Sequence, residues 1–322
     1  MCTAITLSNK DFYFGRTLDL ERNYGEDVVI TPRNYSFSFR DLPALEHHYA
    51  IIGMAHVAEE YPLYYDAVNE AGLCMAGLNF VGFAQYGNYS KGKDNVACFE
   101  LIPYILGTCR SVQDVCRALQ KLQLTNKPFS DTFPPAQLHW IIADAKECIT
   151  LEAMDGCIKI HENTVGVLTN NPPFDDQLFQ LRNYMHLSPN PAHNHFSVDI
   201  SLEPYSRGMG AIGLPGDLSS QSRFVRAAFT KLNSVCPESE TVSQFFHVLG
   251  SVWQTRGCCR LEDGSCEITQ YASCCNATRG IYYYVPYGNR RISAVDMHRE
   301  DLEGKHLIRY PLVTGEDVLY LN

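Results

Sequence analysis

The order of the predicted strands and helices constrains the fold of this chain more than any other feature of its sequence. Apolar runs with short connections predict strands in three blocks, at residues 1–80, 138–169 and 267–310. Apolar residues at helical spacing fill the two intervals between these blocks. Segregated blocks are typical of α+β proteins with antiparallel sheets, whereas regular alternation would indicate a parallel sheet. Because no linker or internal repeat interrupts the pattern, we expect one domain over residues 1–322.

The predicted elements are located by their apolar patterns and their capping residues. The best-defined helix follows Ser111, a favourable N-cap residue with Asp114 three positions later. Residues 33–48 are expected to form a surface hairpin, and residues 123–137 a loop containing proline and phenylalanine. The predicted helices cover residues 95–106, 111–122, 174–184, 222–232 and 241–255. The predicted strands cover residues 1–7, 11–19, 27–32, 49–57, 61–68, 74–80, 138–144, 148–154, 157–161, 165–169, 267–271, 280–287, 291–295 and 307–310.

The composition argues against several classes of partner. Of the 322 residues, 45% are hydrophobic, which suffices for a large buried core. The formal net charge of -10, without any basic block, argues against nucleic acids and anionic membrane surfaces as partners. No apolar run approaches the roughly 18 residues of a membrane-spanning helix. Nothing resembles a signal peptide either, so we expect a cytoplasmic protein.

The 13 cysteines are numerous for such a protein, and their odd number suits a set of free thiols. Two adjacent pairs stand out, Cys258-Cys259 and Cys274-Cys275, with Cys266 between them. A metal or redox protein is the sharpest interpretation of this pattern. However, no Cys-x-x-Cys spacing occurs, and adjacent cysteines chelate one zinc ion poorly. We therefore expect buried, reduced thiols and no metal or other cofactor.

A cysteine directly follows the first methionine. If Met1 is removed, Cys2 carries both a thiol and a free α-amine, whose reference pKa values are about 8.5 and about 7.7–8.0. The amine can then act as the base for the thiol of the same residue. Cys2 is therefore a candidate nucleophile, although a cysteine can also occupy the second position by chance.

The predicted second strand brings two charged residues back beside the N-terminus. Arg16 could stabilise a thiolate and Asp19 could hold an ammonium group, or the two could form a structural ion pair. Residues three apart lie on opposite faces of a regular strand. Both therefore reach one site only if the chain bends, and Gly15 is the predicted position of a bulge.

Eight short motifs, spread in order from the first residue to the tail, resemble one known family. The motifs are Met1–Thr3, Phe14–Asp19, Asn69–Leu73, Ala76–Phe80, Leu168–Pro172, Leu214–Asp217, Ser222–Phe224 and Gly280–Tyr284. Together they resemble the bile salt hydrolases of the choloylglycine hydrolase group, which are N-terminal nucleophile (Ntn) hydrolases related to the penicillin V acylases. The resemblance implies a four-layer αββα sandwich and hydrolysis of glycine- and taurine-conjugated bile acids.

The resemblance also implies a role for each matching polar residue. Cys2 is the nucleophile with its own amine as base, and Arg16 and Asp19 flank it. Asn79 and Asn170 match the asparagines that stabilise the oxyanion, and Arg223 matches a second arginine of the site. Taken alone, Asn170 could be a turn residue and Arg223 a surface ion-pair residue. Yet an arginine in the first turn of a helix opposes the helix dipole, which favours a functional role.

The resemblance further implies a broad apolar pocket for a steroid. The residues expected to line it are Leu20, Tyr24, Ala58, Tyr65, Phe129 and Phe133. Relatives that prefer penicillin V tend to carry tyrosine at the position of Asn79, so this residue favours bile salts. The long irregular segment of residues 186–213 is expected to join neighbouring subunits of a homotetramer.

Three other functions are compatible with parts of this pattern. A penicillin V acylase or an N-acyl-homoserine lactone acylase would use the same scaffold and nucleophile. A catalytically inactive protein could instead use the same pocket to bind bile acids. The intact set of Cys2, Arg16 and the two asparagines argues against this last alternative.

Overall fold

The computed structural model describes all 322 residues and has two large antiparallel sheets packed face to face. Strands β1 to β16 are Cys2–Ser8, Phe12–Leu20, Glu26–Thr31, Ile51–Ala58, Tyr61–Asn69, Cys74–Asn79, Asp94–Ala97, Leu122–Thr125, Leu138–Ala143, Cys148–Met154, Cys157–Glu162, Val167–Leu168, Ile268–Asn276, Ile281–Pro286, Ser293–Asp296 and Ile308–Pro311. Helices α1 to α5 are Leu101–Thr108, Val112–Leu119, Phe174–Leu181, Ser220–Asn233 and Thr241–Gly250.

The strand order gives each sheet its place in the sandwich. One sheet has the order β12-β1-β2-β13-β14-β15, and the other has the order β11-β10-β9-β6-β5-β4-β3-β16. Helix α1 packs on the second sheet, and α4 and α5 pack on the first. The fold is therefore α+β with antiparallel sheets, as the sequence pattern predicted, and it is the four-layer αββα sandwich that the resemblance implied. None of its helices has the length and apolarity needed to cross a membrane.

Two hydrophobic cores hold the layers together. The larger one includes Phe14 of β2 and Ile141 of β9, between the sheets, and extends through the six-stranded sheet to Phe224 of α4 and Phe245 of α5. The second lies between the eight-stranded sheet and helices α1 and α2. Helix α2 begins as predicted, because the Ser111 hydroxyl accepts a hydrogen bond from the Asp114 amide at 3.2 Å.

Several predicted boundaries were wrong, because long-range pairing overrides the local pattern. Residues 94–97 form β7, which pairs in parallel with β8, so the first helix starts at Leu101 and α2 ends before residue 122. Helix α5 ends at Gly250, because the chain then turns and the Gln254 amide donates to Thr269 of β13 at 2.9 Å. Residues 33–48 form one antiparallel bridge around a buried Phe37, not a surface hairpin.

The bulge predicted at Gly15 lies elsewhere. Gly15 pairs regularly with Ile5, whereas the register shift is in β13, between Thr269 and Tyr271, opposite Asp19 and Leu18. Gly15 serves close strand approach instead, since a Cβ atom there would lie 2.1 Å from the carbonyl oxygen of Ser273. The bend that brings the end of β2 beside the N-terminus therefore comes from the partner strand.

Candidate active site

Cys2 lies at the start of β1, an inner strand of the six-stranded sheet, opposite Leu18 of β2. Cys2 is 2% exposed, yet it borders a cavity of about 570 Å³. The thiol thus lies inside the sandwich and borders a cavity that is open to solvent, where a bound molecule can reach it.

Backbone contacts on both sides fix the position of Cys2. Its main-chain nitrogen donates to Asn170 Oδ1 at 2.7 Å, and its carbonyl oxygen accepts from Arg223 Nη1. The ammonium group of Met1 donates to the carbonyl oxygen of Asp19 at 2.6 Å and contacts the carboxylate of Glu267. With Met1 attached, the Cys2 nitrogen is a peptide N–H and cannot accept a proton. Removal of Met1 would turn it into an amine in the same hydrogen-bonded position.

Arg16 is fully buried beside Cys2 and forms no ion pair with Asp19. Its Nη1 atom donates to the carbonyl oxygens of Gly77 at 2.5 Å and Tyr65 at 3.2 Å, while Nη2 has no partner. Burial lowers the pKa of Arg16, but the negative charges around it, Cys2 first, raise it above its ordinary value. Arg16 is therefore a permanent cation whose charge favours the thiolate form of Cys2.

Asp19 is also fully buried, and neutral donors hold its carboxylate. Thr269 Oγ1 donates to it at 2.6 Å, Thr17 Oγ1 at 3.0 Å and Gln254 Nε2 at 3.3 Å. These donors come from β13, β2 and the segment after α5, so three parts of the chain fix this acid next to the N-terminus.

Asn170 follows β12 and connects the other polar groups of the site. Its Oδ1 atom accepts from the nitrogen of Cys2 at 2.7 Å and from Arg223 Nη2 at 2.8 Å. Its Nδ2 atom donates to the carbonyl oxygen of Asn79 at 2.8 Å, and its main-chain nitrogen donates to Ser220 Oγ at 2.8 Å. Asn170 is thus a buried link between three layers, and more than a turn residue.

Arg223 lies near the start of α4 and is fully buried, so it is not a surface ion-pair residue. It donates to Thr3 Oγ1 at 2.7 Å and to the carbonyl oxygen of Leu218 at 3.0 Å, in addition to its contacts with Cys2 and Asn170. Burial lowers the pKa of Arg223, partly offset by the charges of Asp19 and Cys2. The cost of burying this cation is offset by four hydrogen bonds from its three guanidinium nitrogens.

Asn79 ends β6 and is half-buried at the cavity. Its main-chain carbonyl holds Asn170, while its side-chain amide has no hydrogen-bond partner within the protein. That amide is consequently free to bind a group in the cavity. Of the six residues implied by the resemblance, Cys2, Arg16 and Asn79 line the cavity, while Asn170 and Arg223 contact Cys2 from behind and Asp19 contacts the preceding residue, Met1.

The cavity wall agrees with five of the six predicted pocket residues. Leu20, Tyr24, Tyr65, Phe129 and Phe133 all line it. Ala58 does not, because it lies at the end of β4, where the chain turns towards β5. Wall residues that the sequence did not reveal include His56, Leu63, Phe99, Ile102 and Trp140. Leu63 shares a strand face with Tyr65 by simple alternation, which was the available signal.

The free cysteines and acidic residues form no metal site. All 13 cysteines are unpaired, and no cluster of histidine, cysteine and acidic residues suits a metal ion. Cys274 and Cys275 are buried as expected, whereas Cys157 and Cys258 are exposed, so the expectation of burial was wrong for these two residues.

Comparison with known proteins identifies the family. Residues 2–310 match the family described as linear amide C–N hydrolases, choloylglycine hydrolase family. The chain is 54% identical to a bile salt hydrolase/transferase of Lactiplantibacillus plantarum over 97% of both chains. It is 34% identical to a bile salt hydrolase/transferase of Clostridium perfringens over 96% of both chains.

Solved structures agree with this assignment. A mutant conjugated bile acid hydrolase from Clostridium perfringens superposes with a TM-score of 0.93 and 32% identity over the whole of both chains. The penicillin V acylase of Agrobacterium tumefaciens, at 22% identity and a TM-score of 0.76, shares the fold. The chain belongs to the choloylglycine hydrolase family. It is a hydrolase that acts on linear amide C–N bonds.

Proposed function

We propose that this enzyme hydrolyses the amide bond of glycine- and taurine-conjugated bile acids, with Cys2 as nucleophile. The observation that carries the proposal is the position of Cys2 at the inner end of a cavity of about 570 Å³, of whose 23 lining residues 15 are hydrophobic. Pockets of roughly 300–1,000 Å³, lined mostly by apolar side chains with a few polar groups, are typical binding sites for drug-sized small molecules such as a conjugated steroid. The names of the relatives in Lactiplantibacillus and Clostridium point to the same substrate class.

The proposed reaction begins after Met1 is removed. The α-amine of Cys2 accepts the thiol proton, and Sγ attacks the amide carbonyl of the substrate. Arg223 donates a hydrogen bond to the carbonyl oxygen of Cys2. Its positive charge favours the neutral form of the Cys2 amine, which is the form that accepts a proton. Arg16 stabilises the thiolate, and Asp19 holds this end of β2 beside the amine.

The two asparagines, Asn79 and Asn170, stabilise the negative charge that forms on the carbonyl oxygen of the substrate. An amide nitrogen has two hydrogens, and that of Asn170 uses one of them for the carbonyl of Asn79. Its second hydrogen and the free amide of Asn79 can donate to the oxyanion, and preorganised donors of this kind contribute about 2.7–4 kcal/mol each. The amine then protonates the leaving glycine or taurine, and water hydrolyses the thioester.

The steroid binds along the wall formed by Leu20, Tyr24, Tyr65, Phe129 and Phe133, and apolar burial supplies most of its binding free energy. Asn79 favours bile salts over penicillin V in this proposal. A panel of glycocholate, taurocholate, penicillin V and an acyl-homoserine lactone tests it, with the released amine or deacylated product quantified. We expect both conjugates to react well ahead of penicillin V. Equal or faster hydrolysis of penicillin V would favour the acylase alternative, and no turnover at all would favour a binding protein.

We also infer that residues 1–322 form one domain of a cytoplasmic homotetramer. The segment 186–213 and its flanks expose several large apolar side chains, which suits burial against another subunit. These include Met185, Phe196, Val198, Tyr205 and Ile212, exposed by 58% or more. Light scattering that finds a monomer at micromolar concentration would contradict this assembly.

A further inference from the structure

Three ionisable side chains touch one another behind Asn170, and the reaction proposed above uses none of them. They are His139 of β9, Glu152 of β10 and His161 of β11, and the first two are fully buried. His139 Nδ1 lies 3.1 Å from Glu152 Oε1, and His161 Nε2 lies 3.3 Å from Glu152 Oε2. On its outer side, His161 Nδ1 lies 3.1 Å from Asp175. Burying such groups costs stability unless they are paired, so their position calls for a reason.

Both ring nitrogens of His139 face atoms that only accept hydrogen bonds. Nδ1 faces the carboxylate of Glu152, and Nε2 lies 2.8 Å from the carbonyl oxygen of Thr169. A neutral imidazole has one N–H and can satisfy only one of these acceptors, whereas the imidazolium satisfies both. Burial raises the pKa of Glu152, but the hydrogen bond from His139 and then the nearby His161 ring outweigh it and bring the pKa to about 2. The two acceptors that face the ring therefore favour, by geometry alone, a pair with N–H groups on both nitrogens of His139 beside the Glu152 carboxylate.

The orientation of the His139 ring is fixed as well. It stacks on Phe80 with the ring centres 4.3 Å apart and the planes 4° from parallel. Phe80 directly follows Asn79, and Thr169 directly precedes Asn170. One ring thus contacts the neighbours of both asparagines that are proposed to hold the oxyanion.

The pair also holds both ends of the segment that carries Asn170. His139 donates to the carbonyl of Thr169 at one end, and Glu152 Oε1 accepts from the amide of Phe174, at 3.0 Å, at the other. We propose that His139 and Glu152 are positioning residues that fix Asn170 for the reaction, an inference that rests on the proposed role of Asn170. Displacing a reacting or stabilising group by about 1 Å can cost on the order of 10²-fold in rate. Neither residue lines the cavity, so substrate binding should change little.

Two amide variants of His139 separate this role from plain structural support. The amide nitrogen of a glutamine can take the place of Nε2 and donate to Thr169, whereas that of an asparagine takes the place of Nδ1 and reaches only Glu152. Both remove the ring, its stack on Phe80 and its charge. They differ by one methylene, so thermal melts of both variants measure the packing difference separately from kcat. We expect His139→Asn to lower kcat by on the order of tenfold or more with KM changed less than about twofold, and His139→Gln to keep kcat closer to the parent value. Equal kcat values for the two variants would overturn the proposal.

A double-mutant cycle gives a second, independent outcome. In an Asn170→Ala background, His139→Asn should cause no further loss of kcat, because the residue it positions is gone. Full additivity of the two losses would mean that His139 acts elsewhere. Asp175→Asn is the control within the same cluster. Asp175 is exposed and contacts His161, but it takes no part in the bonds from His139 and Glu152 to the segment that carries Asn170. We expect its kcat to match the parent.

All variants are compared as folded protein, at temperatures well below their own Tm. If His139→Asn does not fold, Glu152→Gln replaces it, since a glutamine keeps the volume but removes the charge that lets His139 carry two N–H groups. If the glutamine oxygen faces His139 and Phe174, the carbonyl of Thr169 loses its donor, and if the amide nitrogen faces them, the amide of Phe174 loses its acceptor. An unchanged kcat for that variant would likewise overturn the proposal. Turnover by the parent enzyme tests the proposed function, whereas the ratio of variant to parent kcat, on whichever amide the parent cleaves, tests the positioning role.

Discussion

The two ends of the cavity are built in different ways. At the inner end, Arg16, Asp19 and Arg223 are fully buried, and hydrogen bonds to sheet strands and to the start of α4 hold them. The outer wall is made largely of apolar and aromatic side chains from strands, helices and connecting segments. Among them is Phe129, whose ring lies 5.3 Å from that of Phe99 and 6.2 Å from that of Phe133. Directional bonds hold the first region and apolar packing the second.

This difference predicts how each region responds to substitution. A polar network that is almost completely satisfied leaves no room for a changed group, because a buried unpaired donor or acceptor costs about 1–3 kcal/mol. Apolar packing without directional bonds tolerates changes of shape at moderate cost. Substitutions at the inner end should therefore act on kcat, and substitutions of the wall on KM.

The largest effect is expected at Cys2. Cys2→Ala should lower turnover by at least about 10³-fold, because the nucleophile is lost while its backbone contacts remain. Cys2→Ser should retain little activity, since a hydroxyl is a much weaker nucleophile than a thiol at neutral pH. Amine release from the best conjugate measures the loss, and a thermal melt verifies that the fold persists. A kcat for Cys2→Ala equal to that of the parent enzyme would contradict the assignment of catalysis to the inner end of the cavity.

Almost as large an effect is expected when the N-terminus is blocked. An uncleavable residue before Cys2 leaves its nitrogen as a peptide N–H, which donates to Asn170 but cannot act as a base. Intact mass and turnover measured on the same sample check this prediction. The matched control carries a cleavable extension whose removal exposes Cys2, and it should regain full turnover. Full activity from protein that retains its extension would exclude the amine as the base.

A moderate effect, on a different constant, is expected at the wall. Phe133→Ala should raise KM for a bile acid conjugate by about tenfold, from the loss of roughly 1.5 kcal/mol of apolar burial, while kcat changes little. Phe179→Ala, at an exposed position on α3, serves as the control and should leave both constants unchanged. A fall in kcat with KM unchanged would show that the wall also orients the reacting bond.

The same contrast explains what could be predicted from the sequence. The inner end comes from contiguous motifs, such as Phe14–Asp19 and Leu168–Pro172, and its residues could be identified because these motifs resemble those of the bile salt hydrolases. The wall combines segments far apart in the chain, and Ala58 was wrongly included because strand ends and turns are poorly defined by local patterns. His139 and Glu152 were missed because only the pairing of β9 with β10 brings them together.

The smallest effect is expected at the paired cysteines, which belong to neither region. Burial raises the pKa of Cys274 and of Cys275 well above the ordinary value, so both remain inert thiols packed in the core. Replacing either with Ala should lower the free energy of unfolding by about 0.5–1.5 kcal/mol, through the small cavity left behind. Replacing the exposed Cys258 with Ser should change nothing measurable.

Turnover per folded molecule is the decisive measurement for these variants, with the free energy of unfolding obtained from denaturant melts of the same samples. Cys259→Ser is the most demanding case, because the main-chain carbonyl of Cys259 accepts from the amide of Glu267 at 2.9 Å, and Glu267 contacts the N-terminus. That contact is made by the backbone, so the serine variant should keep it. A fall in turnover of more than about tenfold in any of these variants would restore a redox or metal role for the thiols. Such a loss at Cys259 alone would extend the catalytic region to the segment before β13.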